Sequence, residues 1–156
     1  MKTLILYATK YGAAREIAKR IAEKTDGAVI HDLKEGKIPD LAEFDCVIIG
    51  SSIYIGKIRK EARAFIAANV DALCRKKVGL FISGSEPQSA EACIKSNFPD
   101  KLLNHAKAAA FLGGIFDPQK IGSFDRFLLR MAKINSGYLN TISDEDIKGF
   151  AEALRQ

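Results

Sequence analysis

The residues best suited to chemistry stand in three short segments, each following an apolar run. The first is Thr9-Lys10-Tyr11-Gly12-Ala13-Ala14-Arg15, between the apolar Thr3 to Ala8 and the helical pattern of Ala13 to Lys24. A helix that starts where a buried strand ends presents free N–H groups and positive partial charge, which suits a phosphate. Gly12 permits a turn that strains other residues, Thr9 adds a hydroxyl, and Lys10 and Arg15 add charge. The segment is neither a Walker loop nor a Rossmann G-x-G-x-x-G turn, and an ordinary strand-to-helix turn carries the same residue types. The second is Gly50-Ser51-Ser52-Ile53-Tyr54-Ile55-Gly56-Lys57. There Tyr54 offers a flat ring and Gly56 a close backbone approach for a planar ligand; a tyrosine covering a helix end is the alternative. The third is Ser83-Gly84-Ser85-Glu86-Pro87, small enough to admit a ligand edge or to be a plain turn.

These segments need elements to hold them. Strands are expected at Thr3 to Ala8, Ala28 to Leu33, Asp45 to Gly50, Lys77 to Ser83 and Ala108 to Gly114. Helices are expected at Ala13 to Lys24, Glu61 to Asn69, Gln88 to Lys107 with a break at Pro99, Phe124 to Ile134 and Ser143 to Leu154. Ser143 with Asp146 is a helix-start signature. Alternating β and α elements predict an α/β fold with a doubly wound, five-stranded parallel sheet of order 2-1-3-4-5, as one domain over residues 1–156. In such a sheet ligands bind beyond the carboxyl ends of the strands, between strands 1 and 3, where the three segments meet.

Composition narrows the class. The chain has 156 residues, 47% hydrophobic and 28% charged, the balance of a globular protein rather than a disordered one. Its formal net charge of +5 points to an acidic, polyanionic or membrane-surface partner. Cys46, Cys74 and Cys93 are odd in number and form no C-x-x-C pair, so no disulfide framework is expected and a reducing cytoplasm is. His31 and His105 lack metal-site spacing. The apolar start is broken by Lys10 and Arg15, too early for a signal peptide or a membrane span.

Two runs carry a resemblance. Lys2-Thr3-Leu4-Ile5-Leu6-Tyr7-Ala8-Thr9 with Gly12 and Arg15-Glu16-Ile17-Ala18, and Val47-Ile48-Ile49-Gly50-Ser51-Ser52-Ile53-Tyr54-Ile55-Gly56-Lys57, resemble the flavodoxin-domain proteins. Gly113-Gly114, Phe124-Asp125-Arg126-Phe127-Leu128 and Met131-Ala132-Lys133-Ile134-Asn135-Ser136-Gly137 are similar to the C-terminal part of the flavodoxin-like protoporphyrinogen dehydrogenases, which use FMN and pass electrons to a quinone. The resemblance implies an FMN phosphate held by Thr9, Lys10, Tyr11, Gly12, Ala13 and Ala14. It implies ring contacts from Ser52, Ile53, Tyr54, Ile55 and Gly56, and from Ser83, Gly84 and Ser85. Ala14 stands where flavodoxins commonly have Ser or Thr, so Lys10 or backbone N–H groups are expected to compensate. The stretch from Ser85 to Ala92 is shorter than the insertion that the dehydrogenases carry after their fourth strand.

The charge is not spread evenly. Lys57, Arg59, Lys60 and Arg63 outnumber Glu61 just after the second segment, and positive charge there favours a reduced, anionic flavin. A flavin readily reduced by two electrons is therefore expected, unlike that of an acidic electron-carrier flavodoxin. Lys120, Arg126, Arg130 and Lys133 outnumber Asp125 in a segment rich in Phe and Leu, with Arg126, Arg130 and Lys133 on one helical face. Such a Phe124 to Lys133 helix can lie on an anionic membrane at the inner face of the cell membrane, or it can pack Leu128 and Leu129 into the core with its charges in water. Nucleic acid is not an expected partner, because no recognition motif accompanies the basic residues. The expected function is an FMN-binding oxidoreductase with quinone as acceptor and protoporphyrinogen as donor; an electron shuttle between proteins is the alternative. A phosphorylatable receiver domain is excluded by the lack of carboxylates after the first and third strands.

Overall fold

The computed structural model describes residues 1–85, 87–134 and 137–156; Glu86 of the third segment and the Asn135-Ser136 pair lie outside them. The chain runs β1 (Thr3–Ala8), α1 (Ala13–Glu23), β2 (Val29–Asp32), a 3-10 turn (Leu41–Glu43), β3 (Cys46–Tyr54), β4 (Lys57–Ile58), α2 (Lys60–Leu73) and β5 (Lys77–Ser83). It continues through α3 (Ala90–Asn97), α4 (Asp100–His105), β6 (Ala108–Phe111), β7 (Ile115–Phe116), α5 (Ser123–Met131), β8 (Leu139–Asn140) and α6 (Asp144–Arg155).

Five strands pair in parallel in the order β2-β1-β3-β5-β6, the doubly wound order expected, and β4 adds an antiparallel hairpin to the end of β3. The order follows from burial. β1 is buried at every position, and β3 and β5 are buried over most of their length, so these three occupy the middle of the sheet. Val29 and Ile30 of β2 are exposed, as an edge strand allows.

Alternate residues of the central strands feed two cores. Leu4, Leu6, Val47, Ile49, Leu80 and Ile82 pack with Phe65, Ile66 and Leu73 of α2 and with Leu102 of α4. Ile5, Tyr7, Ile48 and Phe81 pack with Ile17 and Ile21 of α1 and with Ile147, Phe150 and Leu154 of α6. The ring of Phe81 lies over Gly50, where a Cβ would come within 1.8 Å of it, so the second core closes only because residue 50 has no side chain. Ser143 caps α6 by accepting the Asp146 N–H at 3.2 Å, as its spacing predicts.

The structure departs from expectation in three places. β3 continues four residues past Gly50, so Ser51, Ser52, Ile53 and Tyr54 are strand and only Ile55-Gly56 form the turn. Both turn residues have positive φ, 50° and 73°, which matches the twist of a two-residue hairpin. The last parallel strand stops at Phe111, and the chain leaves the sheet as the β7–β8 ribbon, which carries α5 between its strands. α5 therefore has no sheet face to cover. None of its residues is buried, and Leu128 and Leu129, expected in the core if the helix packed on the sheet, are only half-buried. α5 also ends at Met131, so Lys133, at φ 55°, does not continue the helical face of Arg126 and Arg130.

Candidate functional site

The register aligns three strand ends side by side. Ala8 pairs with Ser51, and Ser52 with Ser83, so the chain leaves β1, β3 and β5 on one edge of the sheet. The chain turns to opposite sides of β1 to reach β2 and β3, which opens a crevice at this edge.

The first segment is built around α1. Thr9 Oγ1 accepts the Gly12 N–H at 2.8 Å, and Gly12 takes φ 98°, which fixes the turn. The N-cap is Gly12, and among the described residues no side chain caps α1. Its leading N–H groups and positive end are therefore directed to whatever occupies the crevice. Ala13 and Ala14 are buried, and the Ala14 methyl packs with Ile17 in the second core, so Ala14 can serve a ligand only through its backbone. That burial explains how alanine is accommodated there.

The second segment is tied to the first. The Lys10 N–H donates to Ser52 Oγ at 3.1 Å. Ser51 Oγ accepts the Arg59 N–H at 2.8 Å and donates to the Ser52 carbonyl at 2.9 Å. The third lies against them. Gly84 sits beside Ile53, and its N–H donates to the Gly113 carbonyl at 3.1 Å. Ser83 is buried and its Oγ has no hydrogen-bond partner among the described residues. Ile55, Gly56 and Ser85 are exposed at the rim.

Three residues outside the expected set shape the site. Asp125, in the first turn of α5, receives the hydroxyls of Tyr11 and Tyr54, and its Oδ2 pairs with Lys10 Nζ at 3.0 Å. The Gly122 N–H donates to Tyr11 Oη at 3.2 Å. Burial works against ionisation of Asp125, but Tyr11, Tyr54 and Lys10 outweigh it and hold its carboxyl below the ordinary value. Burial and the neighbouring Asp125 push the Tyr11 phenol up. Asn97, at the end of α3, holds the hairpin: its Nδ2 donates to the Gly56 carbonyl at 3.0 Å, and its Oδ1 accepts the Ile58 N–H at 2.9 Å. Arg59 lies beside the Tyr54 ring, 5.7 Å from its centroid. The sequence signal for Asp125 was the Phe124-Asp125-Arg126 run, and that for Arg59 the basic stretch after the second segment; Asn97 left none that separates it from a surface residue.

The arrangement offers an uncapped helix end, hydroxyls and one lysine for an anion, next to a tyrosine and small residues for a flat apolar body. Asp32 forms a separate cluster at the end of β2, where it pairs with Arg15 at 3.6 Å while Arg15 Nε donates to Tyr7 Oη at 3.0 Å.

The fold is that of a doubly wound α/β domain, and the flavodoxin domain family matches residues 4–140. The chain belongs to that family. Among curated proteins it is similar to the protoporphyrinogen IX dehydrogenase [quinone] of Escherichia coli (strain K12), 25% identical over 150 residues, covering 88% of this chain and 81% of the relative. Solved structures of like fold include a flavodoxin from the domain Archaea, with TM-score 0.59, 16% identity and all of both chains covered. A flavodoxin of Streptococcus pneumonia TIGR4 has TM-score 0.60 and 16% identity, covering 99% of this chain and 98% of its own. A flavoprotein of Lactobacillus acidophilus NCFM in complex with FMN has TM-score 0.59 and 15% identity, covering 70% of this chain and 92% of its own.

Proposed function

We propose that the chain is an FMN-dependent oxidoreductase that takes electrons from a reduced tetrapyrrole of the protoporphyrinogen type and gives them to a quinone. The observation that carries the flavin reading is the uncapped N-terminus of α1 at the β1–β3 crevice, with Thr9, Lys10 and Gly12 around it. The residues present fit FMN. The orphaned, buried Ser83 Oγ supplies a polar atom, and Ala14 offers its N–H without a side chain in the way.

Thr9, Lys10, Tyr11, Gly12, Ala13 and Ala14 would hold the phosphate. Ser52, Ile53, Tyr54, Ile55, Gly56, Ser83, Gly84 and Ser85 would surround the ring. Bound FMN supplies the two-electron redox chemistry. The chain's part is orientation and electrostatics: Tyr54 provides an aromatic face, and Arg59 and Lys57 place positive charge beside it. No side-chain acid or base is assigned.

Support for the donor and acceptor comes from the quinone-linked dehydrogenase named above, whose length this chain largely spans. Peripheral contact with an anionic membrane fits the same reading, because α5 exposes Phe124, Phe127 and Met131 together with Arg126 and Arg130. Among the described residues no helix is long and apolar enough to cross a membrane. Anaerobic oxidation of protoporphyrinogen by FMN-loaded protein tests the reading, with and without quinone. Quinone-dependent turnover supports it. FMN binding with no turnover leaves the electron shuttle, whose docking partners the +5 charge requires to be acidic. Co-sedimentation with vesicles that depends on anionic lipid tests the membrane contact; indifference to lipid charge removes it.

A further inference from the structure

The donors around Asp125 belong to the same segments that would hold the flavin. Lys10 and Tyr11 come from the turn before α1, and Tyr54 from the end of β3, yet all three spend their polar atoms on one carboxylate carried by α5. The side chain of Asp125 is 12% exposed, so this is a partly desolvated contact rather than a loose surface pair. Among the described residues α5 is otherwise held by the half-buried Leu128 and Leu129 and by Arg126, whose Nη2 donates to the Pro118 carbonyl at 3.0 Å; none of its residues is buried. The tie between α5 and the β1 and β3 segments is thus an anion seated on cationic and hydroxyl donors.

We propose that Asp125 is an internal anion that keeps α5 clasped over the crevice and competes with the phosphate of an incoming flavin mononucleotide for Lys10 and Tyr11. The proposal rests on the FMN reading above for the identity of the competing ligand. A phosphate and a carboxylate on the same donors repel each other, so loading of the one loosens the other. By linkage, whatever displaces Asp125 frees α5, and whatever holds α5 away, such as a lipid surface taking up Phe124 and Phe127, raises the affinity for the phosphate. Loading and helix release then form one equilibrium, with the exposed aromatic face of α5 as its second input.

The test compares wild type with Asp125→Asn and Asp125→Ala, because asparagine keeps an accepting oxygen and alanine does not. FMN and riboflavin, which lacks the phosphate, are titrated into each protein. Both variants are expected to bind FMN about tenfold more tightly, with Asp125→Ala at least equal to Asp125→Asn, and to leave riboflavin unchanged. In wild type, hydrogen exchange of the Ser123–Met131 amides is expected to run faster with saturating FMN than with saturating riboflavin. Unchanged or weaker FMN binding in both variants overturns the proposal, as does slower α5 exchange with FMN. If no protein binds either flavin, the cofactor reading falls. Inorganic phosphate then decides the clasp: faster α5 exchange in wild type supports it, and no change overturns it.

Discussion

Lys10 Nζ lies 3.3 Å from the centroid of the Tyr54 ring, so the lysine before α1 caps the aromatic face that ends β3. The contact joins the segment proposed to hold the phosphate to the one proposed to face the ring. Burial works against the charge on Lys10, and hydrogen bonding to Asp125 and Tyr54 outweighs it, so the amine stays protonated well above neutral pH.

Lys10→Met should therefore weaken FMN binding by about tenfold, near 1.4 kcal/mol, with a much smaller effect on riboflavin. Tyr54→Leu should weaken both flavins, because it removes the aromatic surface itself. Fluorescence titration of the two flavins separates these outcomes. Equal loss of FMN and riboflavin in Lys10→Met contradicts the assignment of Lys10 to the phosphate.

Asn97 ties α3 to the hairpin through Gly56 and Ile58. Asn97→Ala should lower stability by about 1–2 kcal/mol, since it leaves the hairpin groups without their partner. Urea unfolding gives the loss, and faster amide exchange at Ile58 localises it. An unchanged midpoint contradicts the role.

Ile55 is a β-branched residue at φ 50°, in a turn where Asn followed by Gly is favoured. Ile55→Asn should raise stability by about 1 kcal/mol. The residue is 72% exposed and fills no core, so a stability loss contradicts the strain.

Arg59 stands beside the Tyr54 ring. Arg59→Gln should lower the midpoint potential of bound FMN by about 20 mV, the order expected for one charge removed across a solvent-screened separation. Spectroelectrochemical titration measures it, and the shift should shrink in high salt. A potential that rises contradicts the electrostatic account.

Burial pushes the Cys46 thiol up from 9.0 to about 11. The folded protein thus keeps this thiol neutral where an unfolded chain ionises it, so its stabilising effect is complete below pH 9 and is lost as pH rises toward 11. Cys46 should resist maleimide at pH 8 in the native state, while the half-buried Cys74 and Cys93 react faster. Mass spectrometry of labelled peptides checks the order.

Much of this was legible in the residue pattern. Runs such as Leu4-Ile5-Leu6 and Val47-Ile48-Ile49 are apolar at every position, as a strand covered on both faces is, and their alternation with helices marks a doubly wound parallel sheet. Gly12 marked the turn before α1, and Ser143 the start of α6. The surroundings of α5 were not legible. Phe124, Arg126, Phe127 and Arg130 form an amphipathic pattern that a core helix and a surface helix share, and only the β7–β8 ribbon decides between them. Asp125 meets Tyr11 across 114 residues of chain, a pairing no local spacing reveals. The β3 extension was missed because Ser51 and Ser52 read as loop, whereas their hydroxyls bind the backbone of Arg59 and Lys10.

The three strand ends at the β1–β3 crevice are proposed to form a flavin mononucleotide site. Titration of the folded, flavin-free protein with FMN, followed by absorbance and calorimetry, tests it most directly. Saturable uptake of one FMN per chain is expected, weakened by Gly12→Val, which strains the turn at φ 98°. Folded protein that takes up no FMN, or that binds it equally well with Gly12→Val, contradicts it.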